Sequence, residues 1–312
     1  MPKQSQRKVM LTQDTSPKLK GMMTLALGVA SISFAAPLFK LSQPVHPLIA
    51  AATRLSFATC LWGFITLYQV HRSKKEAQYQ PISWSDQLYL GALCGLCYAI
   101  HFGAWVWSLG LTSVIASATL VTTTPIMLGL IAWFSGKDKP SLRLLSGGLV
   151  ASLGIITFIL EPQAQYNTKW IGDLLALLGA LAMVPYLLLT RKHQARLKIA
   201  PFSMVATFVG ASLLWLISFF TVATTEFSLP KDMQLYALLG TALIPQLIGH
   251  SALTISLRYF TPTEVGIATL LEPIGASYIA WLLLGEQVTL NSAYATVITL
   301  LGVLLALKGS AK

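Results

Sequence analysis

Ten apolar runs, each close to the length a helix needs to cross a bilayer, leave this chain few ways to fold. They cover residues 21–39, 47–70, 86–109, 112–134, 142–160, 171–190, 200–222, 234–257, 263–284 and 289–307. A hydrocarbon core takes roughly 20 helical residues. The chain has 312 residues, 54% hydrophobic and only 11% charged, where soluble domains carry about 25% charged residues. A soluble fold of this size has no room to hide so much apolar surface. The pattern predicts an all-α integral membrane protein with ten transmembrane helices and surrounding membrane lipids as its solvent.

The formal net charge of +11 raises the question of nucleic acid. The basic residues sit in short segments between apolar runs rather than on one soluble face, so no nucleic-acid partner is expected. Residues 1–20 are polar and basic, and no small-residue cleavage site follows them. The first run is therefore expected as a retained span. Cys94 and Cys97 form a CxxC inside an apolar run with no second ligand pair nearby, which predicts packing residues and no metal site.

Orientation follows from Lys and Arg placement. With a cytoplasmic N-terminus, Lys40, Lys169 and Lys231 fall outside and Arg54 falls within a span. The remaining eighteen of the 22 Lys and Arg fall inside, mostly in the 71–85, 137–143 and 191–198 loops. Both termini are thus expected in the cytoplasm, and the membrane expected is the bacterial cytoplasmic (inner) membrane.

Shifted by 148 residues, the two halves answer each other. TPIMLGLIAWFSGKDKPS (124–141) lies over EPIGASYIAWLLLGEQVT (272–289). Pro125 meets Pro273, Ile131-Ala132-Trp133 meets Ile279-Ala280-Trp281, and Leu153-Gly154 meets Leu301-Gly302. At a shift of 149, His101 meets His250. Five spans per half is an odd number, so the second half enters the membrane from the opposite side. The organisation predicted is a tail over 1–20, a first five-helix repeat over 21–160, a linker over 161–170, an inverted second repeat over 171–307 and a tail over 308–312. Inverted repeats place binding sites near the midplane at the repeat interface, beside interrupted spans. Here those are the fourth and ninth, which Pro125 and Pro273 should bend or open.

These residues, with GDLLALLGALAMVPYLLL (172–189) and LLEPIGASYIAWLLLGEQ (270–287), resemble the EamA-like branch of the drug/metabolite transporter superfamily. The likeness runs from about residue 21 to 307. It implies movement of a small-molecule solute, and it implies no particular solute. Gly136-Lys137-Asp138 departs from the Gly-Glu that closes the ninth span.

Glu272 lies near the centre of the ninth span with no basic residue within eight positions on either side. A charge there costs about 2.5–3.5 kcal/mol on insertion scales, and such groups usually face a cavity or a partner. The alternative is a carboxyl that fills the gap left by Pro273. His101 and His250 occupy the centres of the third and eighth spans. They suit either proton exchange or helix–helix hydrogen bonding. His101, Trp105 and Ser108 share a helical face, as do Gln246, His250 and Thr254. Ser113, Ser117 and Thr124 form a polar stripe that fits a wet cavity or a packing seam. Trp105 and Trp107 could stack on a substrate or simply pack. Arg54, in the outer third of the second span, could snorkel outward, pair with Asp173 or attract an anionic substrate, and the first two are the expectation. Glu286 and Asp138 precede helix starts, which explains them as capping charges. Gly147, Gly148, Ala151 and Ser152 look like close-packing residues.

No phosphate loop is present, and no cofactor is implied. The function expected is a secondary transporter working by alternating access, not an enzyme. Its candidate pathway residues are Glu272, His101, His250, Trp105, Gln246 and Thr124. Proton-coupled efflux and simple facilitated efflux both stand, and a second copy of the chain is a candidate partner. The competing classes are an intramembrane enzyme acting on lipid through the same Glu and His, and a membrane sensor subunit that moves no solute.

Overall fold

The computed structural model describes residues 16–73, 83–111, 114–136, 140–159, 170–194, 196–285 and 290–309, and these residues contain helices and no strands. The first apolar run is split into α1 (Ser16–Ile32) and α2 (Ala35–Leu41). Then come α3 (Pro47–Ser73), α4 (Trp84–Ser108), the pair α5 (Val114–Val121) and α6 (Thr124–Ser135), and α7 (Leu142–Ile159). The second half holds α8 (Trp170–His193), α9 (Ile199–Thr221), and α10 (Asp232–Thr241) running through a π-helical segment, Ala242–His250, into α11 (Ser251–Ser256). It ends with α12 (Pro262–Thr269), α13 (Glu272–Leu284) and α14 (Leu290–Gly309).

Seven stretches among the described residues are long and apolar enough to cross a membrane: Leu19–Leu41, Pro47–Arg72, Trp84–Ser108, Trp170–His193, Ile199–Thr221, Asp232–Ser256 and Pro262–Leu284. Thr124–Ser135, Leu142–Gly154 and Ala293–Ala306 are apolar but shorter. The outward face carries large apolar side chains such as Phe134, Leu142, Phe219 and Phe220, all strongly exposed. Water would penalise that surface, and lipid does not. The protein is an integral membrane protein.

Two helix pairs form the spine, and each pair joins positions about 148 apart. In α3 and α9, a Cβ on Gly210 would meet Leu55 and one on Gly63 would meet Met204. Between them Thr59 donates to the Thr207 hydroxyl at 3.0 Å, across a separation of 148 residues. In α7 and α14, the partners of Gly147, Ala151 and Gly154 are Ala306, Gly302 and Thr299 in descending order. Thr299 also donates to the Ala151 carbonyl, again 148 residues away. As one helix ascends its partner descends, so both pairs are antiparallel. The glycines permit this approach. A Cβ on Gly147 would sit 2.3 Å from the Ala306 nitrogen, and one on Gly302 would sit 2.2 Å from that of Ala151.

The connections gather at two ends. Gln87, at the start of α4, donates to the Arg196 carbonyl and accepts from the Lys198 N–H. Arg191 donates to the Leu257 carbonyl. The start of α4 and the α8–α9 and α11–α12 connections therefore share one end, which carries Arg191, Arg196 and Lys198. At the other end the His46 ring lies 5.8 Å from that of Trp107, which brings the α2–α3 and α4–α5 connections together.

Candidate functional site

Three breaks and one distortion build the centre of the molecule. Between α5 and α6 the backbone tightens, with Thr122 bonding Ala118 and Thr123 bonding Leu120. Between α12 and α13, Leu270 bonds Ile267 and Leu271 bonds Ala268. Pro125 and Pro273 then occupy the first turns of α6 and α13, where a missing N–H removes no helical bond. The third break, between α1 and α2, leaves Ser33 packed where a Cβ on Gly275 would stand, 2.3 Å from the Ser33 hydroxyl. The distortion is the π-helical segment around Pro245, which lets Gln246 turn inward; it is 2% exposed. Single π turns inside α-helices are a recurrent feature of functional sites.

These elements surround one cavity. Its walls include Ile32 and Ala35 of the first run, Arg54 of α3, His101, Phe102 and Trp105 of α4, and Thr122 and Thr124 at the first proline break. Met183 and Leu187 of α8, His250, and Val265, Gly266, Thr269 and Glu272 of the ninth run complete it. Gly179 brings α8 close to α4, and its carbonyl lies 2.9 Å from His101 Nδ1. A carbonyl only accepts, so Nδ1 carries the proton and Nε2 is left as the acceptor of the neutral ring. The His101 and His250 rings meet edge to face at 6.5 Å. The Trp105 ring is nearly parallel to His101 at 6.0 Å and stands edge-on to Phe39 at 5.8 Å.

Arg54 corrects the expectation made for it. It neither snorkels nor pairs with Asp173: it is fully buried, and Nη2 donates to Gln246 Oε1 at 3.0 Å. Its guanidinium lies 4.2 Å from the Phe102 ring centroid and 5.5 Å from that of Phe39. Nε and Nη1 have no hydrogen-bond partner, and neither does Trp105 Nε1. The rule that a charge inside a span is functional by default pointed to Arg54. Counting its depth from the helix end, two turns or roughly 10 Å, placed it too near the surface.

A polar chain leads away from the cavity. Tyr98 donates to the Tyr186 hydroxyl at 2.8 Å, Tyr186 lies 2.9 Å from the Thr254 hydroxyl, and Thr254 donates to the His250 carbonyl. Because the one Thr254 proton is used on that carbonyl, Tyr186 must be the donor to Thr254. Tyr98 and Tyr186 carried no sequence signal beyond being aromatic.

Of the sequence-predicted residues, Glu272, His101, His250, Trp105 and Thr124 line the cavity together. Gln246 stands behind Arg54 and holds it. Ser117 pairs with Ser108 in a buried seam instead of facing the cavity. Trp107 lies outside it, against His46. Ser113, Asp138 and Glu286 fall outside the described residues.

Comparison with known proteins decides the family. The model of the EamA-like transporter family matches twice, over residues 19–160 and 170–308.

The chain belongs to the EamA-like transporter family.

No curated protein matches it. A solved structure described only as "Crystal structure of protein" shares the fold with a TM-score of 0.73 at 15% identity. That match covers 95% of this chain and 99% of the other. The two matches of the EamA-like model divide the chain between α7 and α8, so the cavity is built from both halves: α1 to α6 on one side, α8 to α13 on the other.

Proposed function

We propose that this EamA-like protein is a secondary transporter that carries a small solute across the bacterial inner membrane by alternating access. The observation that carries this reading is the cavity itself. It lies between the two matched halves, at the breaks of the first, fourth and ninth runs, and it holds an arginine, two histidines and a glutamate in an otherwise apolar chain. Broken helices at a repeat interface are where transporters of inverted-repeat design bind their cargo.

The helix pairs support the inverted arrangement. In this reading residues 21–160 and 171–307 are two five-span repeats joined by 161–170, and repeat mates such as Thr59 and Thr207 touch because they flank a pseudo-twofold axis. Antiparallel packing of α7 on α14 is what inversion requires of mates that meet on such an axis. The ten-span count, with α5 and α6 together making the fourth, puts both termini on the basic end. By the charge rule that end is cytoplasmic.

Alternating access would rock the halves about the spine formed by α3, α9, α7 and α14. Protons are the coupling ion this cavity suits. Glu272 can take up and release a proton inside it, and His101 offers an acceptor at Nε2. The test is a solute-flux screen in proteoliposomes with and without a pH gradient. Wild-type flux of the carried solute should respond to the gradient, and Glu272→Gln should abolish that response. Flux that ignores the gradient in both proteins would leave facilitated movement and remove the coupling. Absence of flux for every solute class would remove transport.

A further inference from the structure

We infer that the ligand of this cavity is a small carboxylate with a flat apolar body, its acid group docked on Arg54 and its body lying along Trp105. The inference rests on the transporter reading for its meaning, but the site is a matter of binding and is tested as such.

The donor inventory is the starting point. A guanidinium carries five N–H donors and no acceptor, and it stays charged at neutral pH. Gln246 takes one donor on Nη2, while Nε and Nη1 are buried and unpartnered. Trp105 Nε1, a third buried and unpartnered donor, belongs to a ring on the same cavity wall. Buried donors without partners are costly, and a buried charge without a counter-ion more so. A native structure keeps such a set where something else supplies the acceptors.

The surroundings say what that something is. A neutral acceptor would satisfy the hydrogen bonds and leave the charge. A carboxylate satisfies both, and planar carboxylates are the groups guanidinium geometry suits. Glu272 acts on Arg54 through its charge but makes no hydrogen bond to it: Arg54's one hydrogen bond is to Gln246, so Nε and Nη1 still lack acceptors. A cationic ligand would have to sit beside the Arg54 charge. The Phe102 and Phe39 faces are already taken, within 4.2 and 5.5 Å of the guanidinium. Apart from His101, His250, Glu272 and the threonines at the breaks, the lining is apolar, so the remainder of the ligand is apolar and thin enough to lie along Trp105. His101 Nε2 remains as an acceptor for a hydroxyl or N–H on the body, which gives room for substituents without changing the head group.

Three probes with one body isolate the head group: phenylacetate, phenylacetamide and phenethylamine. They are titrated into the purified full-length protein in nanodiscs, with affinity read by calorimetry and by thermal shift. Phenylacetate is expected to bind about tenfold or more tighter than the amide, the span of a charge-assisted hydrogen bond. Phenethylamine is expected to bind weakest. Arg54→Gln should erase the preference of acid over amide. Trp105→Phe, which keeps an aromatic ring, though a smaller one, and removes the N–H, should narrow it. If Arg54→Gln does not fold, the wild-type series and Trp105→Phe still decide.

Failure of phenylacetate to bind overturns the inference, and so does amide or amine binding as tight as the acid. The transporter reading fails separately. Carboxylate binding without flux of any solute would keep the site and remove transport. Flux of another solute with which phenylacetate does not compete would keep transport and remove this ligand class.

Discussion

In the fourth run the chain breaks at Thr122–Thr123 and resumes with Thr124-Pro125; in the ninth it breaks at Leu270–Leu271 and resumes with Glu272-Pro273. Both restarted helices close on a left-handed glycine, Gly136 with φ 70° and Gly285 with φ 69°, a conformation that favours residues without a Cβ. The backbones are near copies. The first residues are not. Thr124 turns its hydroxyl onto the Val121 and Ala180 carbonyls and is self-contained. Glu272 faces the cavity. The same contrast recurs in the spine, where Arg54 has Phe202, also buried, 148 positions later. The break and the packing belong to both halves, whereas the charge belongs to one member of each pair. Symmetric features should therefore govern folding, and asymmetric ones should govern what the cavity binds.

The largest effect is expected where symmetry is strictest. Gly302→Val places carbon where Ala151 backbone already stands, 2.2 Å from its nitrogen. Overpacking costs about 1–3 kcal/mol when side chains can move aside, and backbone cannot, so loss of folded protein is expected. Gly63→Ala, whose new Cβ would meet only Met204 Sδ at 3.9 Å, should be tolerated. Yield of monodisperse protein and its Tm in detergent measure both. A well-folded Gly302→Val would show that the α7–α14 seam is not what joins the halves.

A smaller effect on folding and a larger one on activity should separate the two break residues. Glu272→Gln is nearly isosteric, so Tm should stay within a few degrees while flux falls about tenfold or more, the loss expected of a residue whose charge is used. Thr124→Val should do the reverse. It gives up one shared hydroxyl proton, about 1 kcal/mol, and leaves flux within a few-fold. If Thr124→Val impairs flux as much as Glu272→Gln, the two breaks do the same work and the asymmetry has been misjudged.

How far the sequence alone could reach is clearest at two prolines. Pro37 and Pro185 are also 148 apart, and within an unbroken helical run each would remove one hydrogen bond. Beside Pro37 the helix breaks, at Ser33–Phe34; around Pro185, α8 runs on unbroken. The difference is tertiary, because Ser33 is held against Gly275 of α13, and no local pattern announces that. The offset of 148 could be counted in the chain, but not which mates touch, as Thr59 and Thr207 do. Glu272 and the histidines stood out because charge and imidazole are rare in apolar runs. Arg54 stood out equally, but its depth depended on helices that cover it from other parts of the chain. The π-helical segment at Pro245 gave a proline as its signal and nothing about the register change that turns Gln246 toward Arg54.

The smallest effect concerns an end of the molecule, where the halves differ again: His46 stands 148 positions before Gln194. His46 Nδ1 accepts the Leu48 N–H at 3.3 Å as α3 begins, and its ring packs on Trp107. Burial lowers its pKa from the usual 6.5, with the nearby charge of Glu226 acting in the opposite direction. The folded state thus favours the neutral ring. Above pH 6.5 both folded and unfolded chains hold it neutral, and no penalty arises. As pH falls below 6.5 the unfolded chain takes the proton first, so folding loses stability, and the protonated Nδ1 can no longer accept from Leu48. His46→Gln supplies the second half's residue, with an acceptor that does not titrate. Between about pH 7.5 and about pH 5.5 the Tm of the wild type should therefore fall further than that of His46→Gln, while the two proteins match at the higher pH. An equal fall in both would mean that the ring at this end is solvated enough to be indifferent to its charge, and that the halves differ there in sequence but not in physics.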